Sequence, residues 1–150
     1  MAVKLYEGEE QTTLQIKRLF RAPPQRVYAA WTDSQEMRHW VCPDDSFGDA
    51  EIEADVRVGG RFRLVMHAPD GGVHRVGGVY REVAPNERLV YTGAWESTPE
   101  RESLVTVEFR WAGEGTELVL THQRFADQGA RDRHLQGWTG SIGRLERFLA

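Results

Sequence analysis

The sequence predicts an α+β fold: a curved antiparallel sheet of about seven strands wrapped around one long C-terminal helix, with two short helices after the first strand. Three observations predict it. Between Ala50 and His122, apolar residues recur at every second position, and turn residues interrupt them at short intervals. That is strand patterning with hairpin connections. From Asp127 to Ala150 the period changes: Leu135, Trp138, Ile142, Leu145 and Leu149 recur at steps of three and four, the stripe of an amphipathic helix. Finally, a sheet with one apolar face needs a cover, and only this helix is long enough to supply it.

The elements follow in order. Thr12 to Arg21 alternates, with Leu14, Ile16 and Phe20 on one parity, and reads as a first strand. Ala22-Pro23-Pro24 ends it, and Pro24 suits the first turn of a helix whose apolar face is Val27, Ala30 and Trp31. Asp33 or Ser34 caps a second short helix, with Glu36 in the capping-box position. Met37 and Trp40 are its buried side, and Pro43 stops it.

Ile52, Ala54, Val56 and Val58 then form one strand face, closed by a Gly59-Gly60 hairpin turn. Phe62, Leu64 and Met66 point inward from the next strand, and Pro69-Asp70-Gly71-Gly72 turns the chain again. Val73 to Val83 is a further strand, with a bulge expected at Gly77-Gly78. Pro85-Asn86 leads into Arg88 to Trp95. After a polar loop, Val105, Val107, Phe109 and Trp111 alternate, then Leu118, Leu120 and His122. Gly137, Gly140 and Gly143 lie inside the last helix at a cost of roughly 1 kcal/mol each against Ala. They imply close approach to another backbone.

The chain has 150 residues, which predicts one domain spanning 1–150, with a core from about 12 to 149. Cys42 is the single cysteine, so no internal disulfide forms. That fits a reducing compartment. Met1 to Gln11 is polar and acidic without an apolar core of its own. The expectation is therefore a cytoplasmic protein without a signal peptide or membrane association. The formal net charge of −4 argues against a nucleic-acid partner.

Chemical motifs are sparse. His39, His67, His74, His122 and His134 show no zinc-type spacing, and no metal is expected. A plain four-residue loop over Pro69 to Gly72 would set His67 opposite His74. Asp44-Asp45 reads as a solvated loop, and Cys42 has no base placed beside it beyond His39 three residues back. The two Gly-Gly pairs are turns rather than phosphate loops. His122 shares parity with Leu118 and Leu120, so it points inward. It is the one candidate for a general base, against the reading of a satisfied core histidine.

Several stretches carry a resemblance. They are Ala22-Pro23-Pro24-Gln25-Arg26-Val27-Tyr28, Trp31-Thr32-Asp33, Val58-Gly59-Gly60-Arg61-Phe62, Pro69-Asp70-Gly71, Arg88-Leu89-Val90-Tyr91-Thr92, Gly115-Thr116-Glu117-Leu118, Thr121-His122 and Gly137-Trp138. With them the chain resembles the SRPBCC or START-like superfamily of the helix-grip fold, and within it the AHSA-type family, named after an activator of a heat-shock chaperone's ATPase. The family commonly has Gly-Pro after the second helix, where this chain has Val41-Cys42-Pro43.

The resemblance implies an internal pocket between sheet and helix. Its expected lining is Trp40, Phe62, Leu64, Met66, Tyr80, Tyr91, Trp95, Val107, Phe109, Leu120, His122, Trp138 and Ile142, with Tyr80, Tyr91 and His122 as polar tips. The expected function is a non-catalytic domain holding a small hydrophobic molecule, without a cofactor. The alternatives are a cyclase- or hydrolase-type enzyme using the same cavity, and a chaperone- or stress-related interaction module with a protein partner or a second copy of itself.

Overall fold

Antiparallel pairing joins seven strands into one sheet in the order β1-β7-β6-β5-β4-β3-β2. The computed structural model describes residues 9–150; most of the acidic N-terminal stretch lies outside the described residues. The elements are β1 (Thr13–Phe20), α1 (Pro24–Thr32), α2 (Ser34–Met37), β2 (Glu51–Ala54), β3 (Arg61–His67), β4 (Val73–Ala84), β5 (Arg88–Trp95), β6 (Ser103–Ala112), β7 (Gly115–Gln123) and α3 (Gln128–Phe148). From β2 to β7 each strand pairs with its successor. The α1–α2 segment instead carries the chain from one edge of the sheet, β1, to the other, β2. The curved sheet with its C-terminal helix is the α+β arrangement predicted above.

Local chemistry explains the boundaries. Pro24 opens α1, which buries Val27, Ala30 and Trp31. The Asp33 carboxylate accepts from Gln35 N at 2.9 Å and caps α2. The reciprocal half of the capping box is absent, because Glu36 binds Arg26 at 2.6 Å instead. Asp127 caps α3 by accepting from Ala130 N at 2.8 Å. One continuous core unites Leu89, Val107, Phe109, Leu118 and Leu120 of the sheet with Trp31, Trp40, Ile142 and Leu145 of the helical layer.

Several expectations are corrected. β2 ends at Ala54, so Val56 and Val58 lie in a loop, and Val58 is 64% exposed. That loop closes on itself through Asp55 N to Arg61 O and Gly60 N to Arg57 O, with Gly59 at φ +84°, a conformation glycine adopts freely. The β3–β4 register sets His67 opposite Val73 and His74 opposite Met66, because Ala68 joins the loop by donating to Gly72 O. The two imidazoles therefore do not face each other.

The irregularity in β4 falls between Tyr80 and Glu82, not at Gly77-Gly78. Gly78 serves a different need. A Cβ there would lie 1.8 Å from the Thr92 carbonyl oxygen and 2.7 Å from the Phe62 ring, so only glycine fits where β4 and β5 crowd together. Trp111 keeps the parity of its strand yet is 62% exposed. It stands near the end of β6, past the part of the sheet that the helices cover.

α3 is held differently along its length. Its buried residues are Ser141, Ile142 and Leu145, all in the C-terminal half. Leu135, expected in the buried stripe, is 37% exposed. Leu135 lies two turns before Ile142 on the same side of the helix, but burial of α3 begins only at Ser141, and no residue from Gln128 to Gly140 is buried. At the C-terminal half the loop after α2 presses against the helix. A Cβ on Gly140 would meet the Pro43 carbonyl oxygen at 1.8 Å, whereas Gly143 has open space. Ser141 Oγ lies 2.8 Å from Val41 O, Arg144 donates to Cys42 O at 3.2 Å, and Asp45 binds both Arg144 and Arg147.

Candidate functional site

The N-terminal half of α3 reaches the sheet at β5 through His134 and at β7 through Trp138, beside a part of the concave face that glycine leaves bare. Phe62 pairs with Gly78. The flanking pairs Gly77–Ala94 and Tyr80–Tyr91 put Gly78 in line with Gly93, and Gly93 pairs with Ser103. Phe62, Gly78, Gly93 and Ser103 thus form one row across the concave face. Phe62 covers Gly78, but a Cβ on Gly93 would meet only Ser103 Oγ, at 3.8 Å. On one side of this row lie Leu64, Val76 and Trp95, and on the other Tyr80 and Tyr91. Phe62, Leu64, Trp95 and Trp138 remain partly exposed although they are large and apolar. The result is a trough with glycine at its base and aromatic walls.

Two tryptophan–histidine bonds tie α3 to the sheet beside this trough. Trp138 Nε1–H donates to His122 Nδ1 at 2.9 Å, and Trp95 Nε1–H donates to His134 Nε2 at 3.1 Å. An indole nitrogen only donates, so the nitrogen it meets must be the unprotonated one, and each tautomer is thereby set. His122 then carries its proton on Nε2 and donates to Ser103 Oγ at 2.6 Å. Ser103 Oγ–H in turn donates to Gly93 O at 3.1 Å. His134 donates from Nδ1 to Ala130 O at 2.7 Å. The two rings lie 5.4 Å apart, with Phe125 against both at 4.3 and 4.7 Å.

Burial pushes the His122 imidazolium pKa down to about 3, with the neighbouring His134 adding to the effect. His134 is lowered as well, chiefly by burial. His122 is therefore a neutral imidazole with both nitrogens engaged, which leaves no free lone pair to accept a proton from a substrate.

The residues expected to line a pocket divide into three groups. Trp40, Val107, Phe109, Leu120 and Ile142 are core: Trp40 donates to Ala30 O at 2.9 Å and lies 4.7 Å from the Trp31 ring, and the others belong to the same packed cluster. Phe62, Leu64, Trp95 and Trp138 border the trough. Met66, Tyr80, Tyr91 and His122 are buried at its margins. His134 and Phe125 were missing from the expected set. The signal for His134 was its place one helical turn before Trp138, on the same face.

The remaining candidates stay apart. Cys42 is buried, its thiol pKa is raised by burial, and it contacts Gly48 O. His39 turns instead to Asp49 at 3.1 Å. Asp44 is exposed and bonded to Ser46, which lowers its pKa, while Asp45 clamps the loop to α3. His67 pairs with Glu51 at 2.8 Å. Among the described residues no three or more His, Cys, Asp or Glu side chains converge to hold a metal ion, and no helix is long and apolar enough to cross a membrane.

Residues 21–150 match the family model described as activator of Hsp90 ATPase homolog 1-like protein. The chain belongs to the AHSA1 family. Solved structures agree. A protein of Chromobacterium violaceum superposes with a TM-score of 0.84 at 27% identity, covering 92% of this chain and 96% of that one. A Rhizobium leguminosarum protein gives 0.75 at 33% identity, covering 91% and 93%. The AHSA1 protein of Silicibacter pomeroyi gives 0.78 at 25%, covering 90% and 95%. No functionally curated protein matches significantly. This AHSA1 chain thus has a fold shared by ligand-binding and chaperone-associated domains.

Proposed function

We propose that this AHSA1 domain is a non-catalytic binding domain that takes a small apolar molecule into the trough between the N-terminal half of α3 and strands β3 to β6. The observation that carries this reading is the bare concave face at Gly93, with Phe62, Leu64, Trp95 and Trp138 left partly exposed around it. Apolar walls with few polar groups suit a small hydrophobic ligand. The engagement of both nitrogens of His122 weighs against acid–base catalysis there. The looser hold on the N-terminal half of α3 provides a route in.

The test uses the neutral fluorophore N-phenyl-1-naphthylamine. The expected result is saturable binding of one probe per chain, with the melting transition retained. Gly93→Val should abolish that binding at unchanged or higher melting temperature, since valine also favours strand. A wild-type chain that binds no probe refutes the reading. So does a Gly93→Val chain that binds normally. If the region is already full, valine there would instead overpack it and lower stability by about 1–3 kcal/mol.

One observation favours a second reading, a protein-interaction module. Trp111 is 62% exposed at the end of β6, and exposed tryptophan is enriched at interface hot spots.

A further inference from the structure

At one end β4 outruns its neighbour. The last rung between β4 and β5 is Glu96 N–H donating to Arg75 O at 2.9 Å. Thr98 N–H then donates to Trp95 O at 3.0 Å, and the chain turns away. Val73 and His74 are thereby left without a partner strand on that side. The gap is a cleft of about 310 Å³ lined by Val73, His74, Arg75, Trp95, Glu96 and Ser97. That volume is at the small end of the range for ligand sites. The cleft opens along the edge of β4, so residues of both strand faces contribute to it.

This cleft has a fixed apolar wall and one uncommitted cation. Trp95 is pinned, with its indole N–H on His134 Nε2 at 3.1 Å. Its ring centroid lies 6.3 Å from that of His74, at 76°. Val73, 37% exposed, extends the apolar surface. A wall ordered before binding costs a ligand little. The charges are unequally committed. Arg63 donates to both Glu96 oxygens, at 2.7 and 3.4 Å. Arg75 is near enough to act on the Glu96 carboxylate, yet it forms no ion pair among the described residues. With Glu96 already held by Arg63, the spare charge of the cleft is positive.

We infer that this cleft binds a small aromatic carboxylate, its ring against Trp95 and Val73 and its carboxylate on the Arg75 guanidinium. A guanidinium pairs a carboxylate through two parallel N–H···O bonds. A doubly charged phosphate suits the cleft less well, because the Glu96 carboxylate in its lining repels added negative charge. The inference is independent of the trough reading, with which it shares only Trp95.

The experiment titrates the full chain at neutral pH with two fluorescent probes of one shape, 2-naphthoate and 2-naphthamide. The acid should bind about tenfold more tightly, the scale of a hydrogen bond to a charged oxygen over one to a neutral oxygen. Arg75→Gln should bring that ratio to about one and leave the amide's affinity unchanged. Arg75 is exposed, and circular dichroism checks that the variant folds. Glu96→Gln should raise the ratio, because a competing negative charge is gone. The acid should not displace N-phenyl-1-naphthylamine. Failure of the acid to bind, or equal affinities for the two probes in the wild-type chain, would overturn the assignment. So would a preference that survives Arg75→Gln or falls in Glu96→Gln. Stoichiometric displacement of N-phenyl-1-naphthylamine would place the acid in the trough instead and overturn it as well.

Discussion

Lowering the pH should destabilise the domain through His122 by an amount that can be worked out. Its imidazolium pKa falls from an unfolded value of 6.5 to about 3 in the folded chain. The unfolded chain therefore takes up the proton first. Stability from this residue is fully present above about pH 6.5, declines as the pH drops, and is lost by about pH 3. The slope in that window approaches about 1.4 kcal/mol per pH unit. At about pH 5 the loss is about 2 kcal/mol, and across the whole window about 5 kcal/mol. A domain of this size has about 5–15 kcal/mol in total, so the effect is large enough to unfold it in acid.

The structural cause is specific. Protonating Nδ1 would remove the acceptor for Trp138 and place a charge 5.4 Å from the His134 ring. The assay is urea unfolding at a series of pH values from about 7 to 4, on the wild-type chain and on His122→Asn. Asparagine keeps an acceptor and a donor but does not titrate. His134 shifts in the same direction, and surface carboxylates add their own slopes, but both remain in the variant. The difference between the two curves therefore isolates His122. Parallel curves would refute the argument, as would a wild-type stability that stays level from pH 6.5 to 5.

Two paired substitutions test how α3 is held. Gly140→Ala should cost about 1–3 kcal/mol, because its Cβ would fall 1.8 Å from the Pro43 carbonyl oxygen. Gly143→Ala, facing open space, should raise stability by up to about 1 kcal/mol through helix propensity; thermal melts that rank the two alike would contradict this. Likewise Leu135→Gln should change stability by less than about 0.5 kcal/mol, while Leu145→Ala, fully buried, should cost about 2–5 kcal/mol. Comparable losses in chemical denaturation would mean that the N-terminal half of α3 packs as tightly as the C-terminal half.

Periodicity and turn chemistry determined most of the secondary structure, though not the end of β2 or the place of the bulge in β4. β5 from Arg88 to Trp95, the burial of Val27, Ala30 and Trp31 on α1, and the order of strands and helices all follow from local pattern, because apolar spacing and turn chemistry act over a few residues. The glycines of α3 show where that ends. Gly137, Gly140 and Gly143 look alike in sequence, yet only Gly140 meets a backbone at prohibitive distance. Which turn of the helix touches Pro43 is a property of the long α2–β2 connection folding back.

The same holds for the candidate site. Parity placed His122 on the concave face, but only the tertiary structure brought Trp138 to Nδ1 and Ser103 to Nε2. Those contacts convert a candidate base into a saturated, neutral ring. Gly93 passed unnoticed for the same reason. A glycine in a strand carries no pattern of its own, and its meaning comes from the neighbours that leave the space above it open. Residue types and their spacing were thus decided locally. The trough and the two tryptophan–histidine bonds depend on partners far apart in the chain. Only the closure of the sheet around α3 sets the distances between those partners.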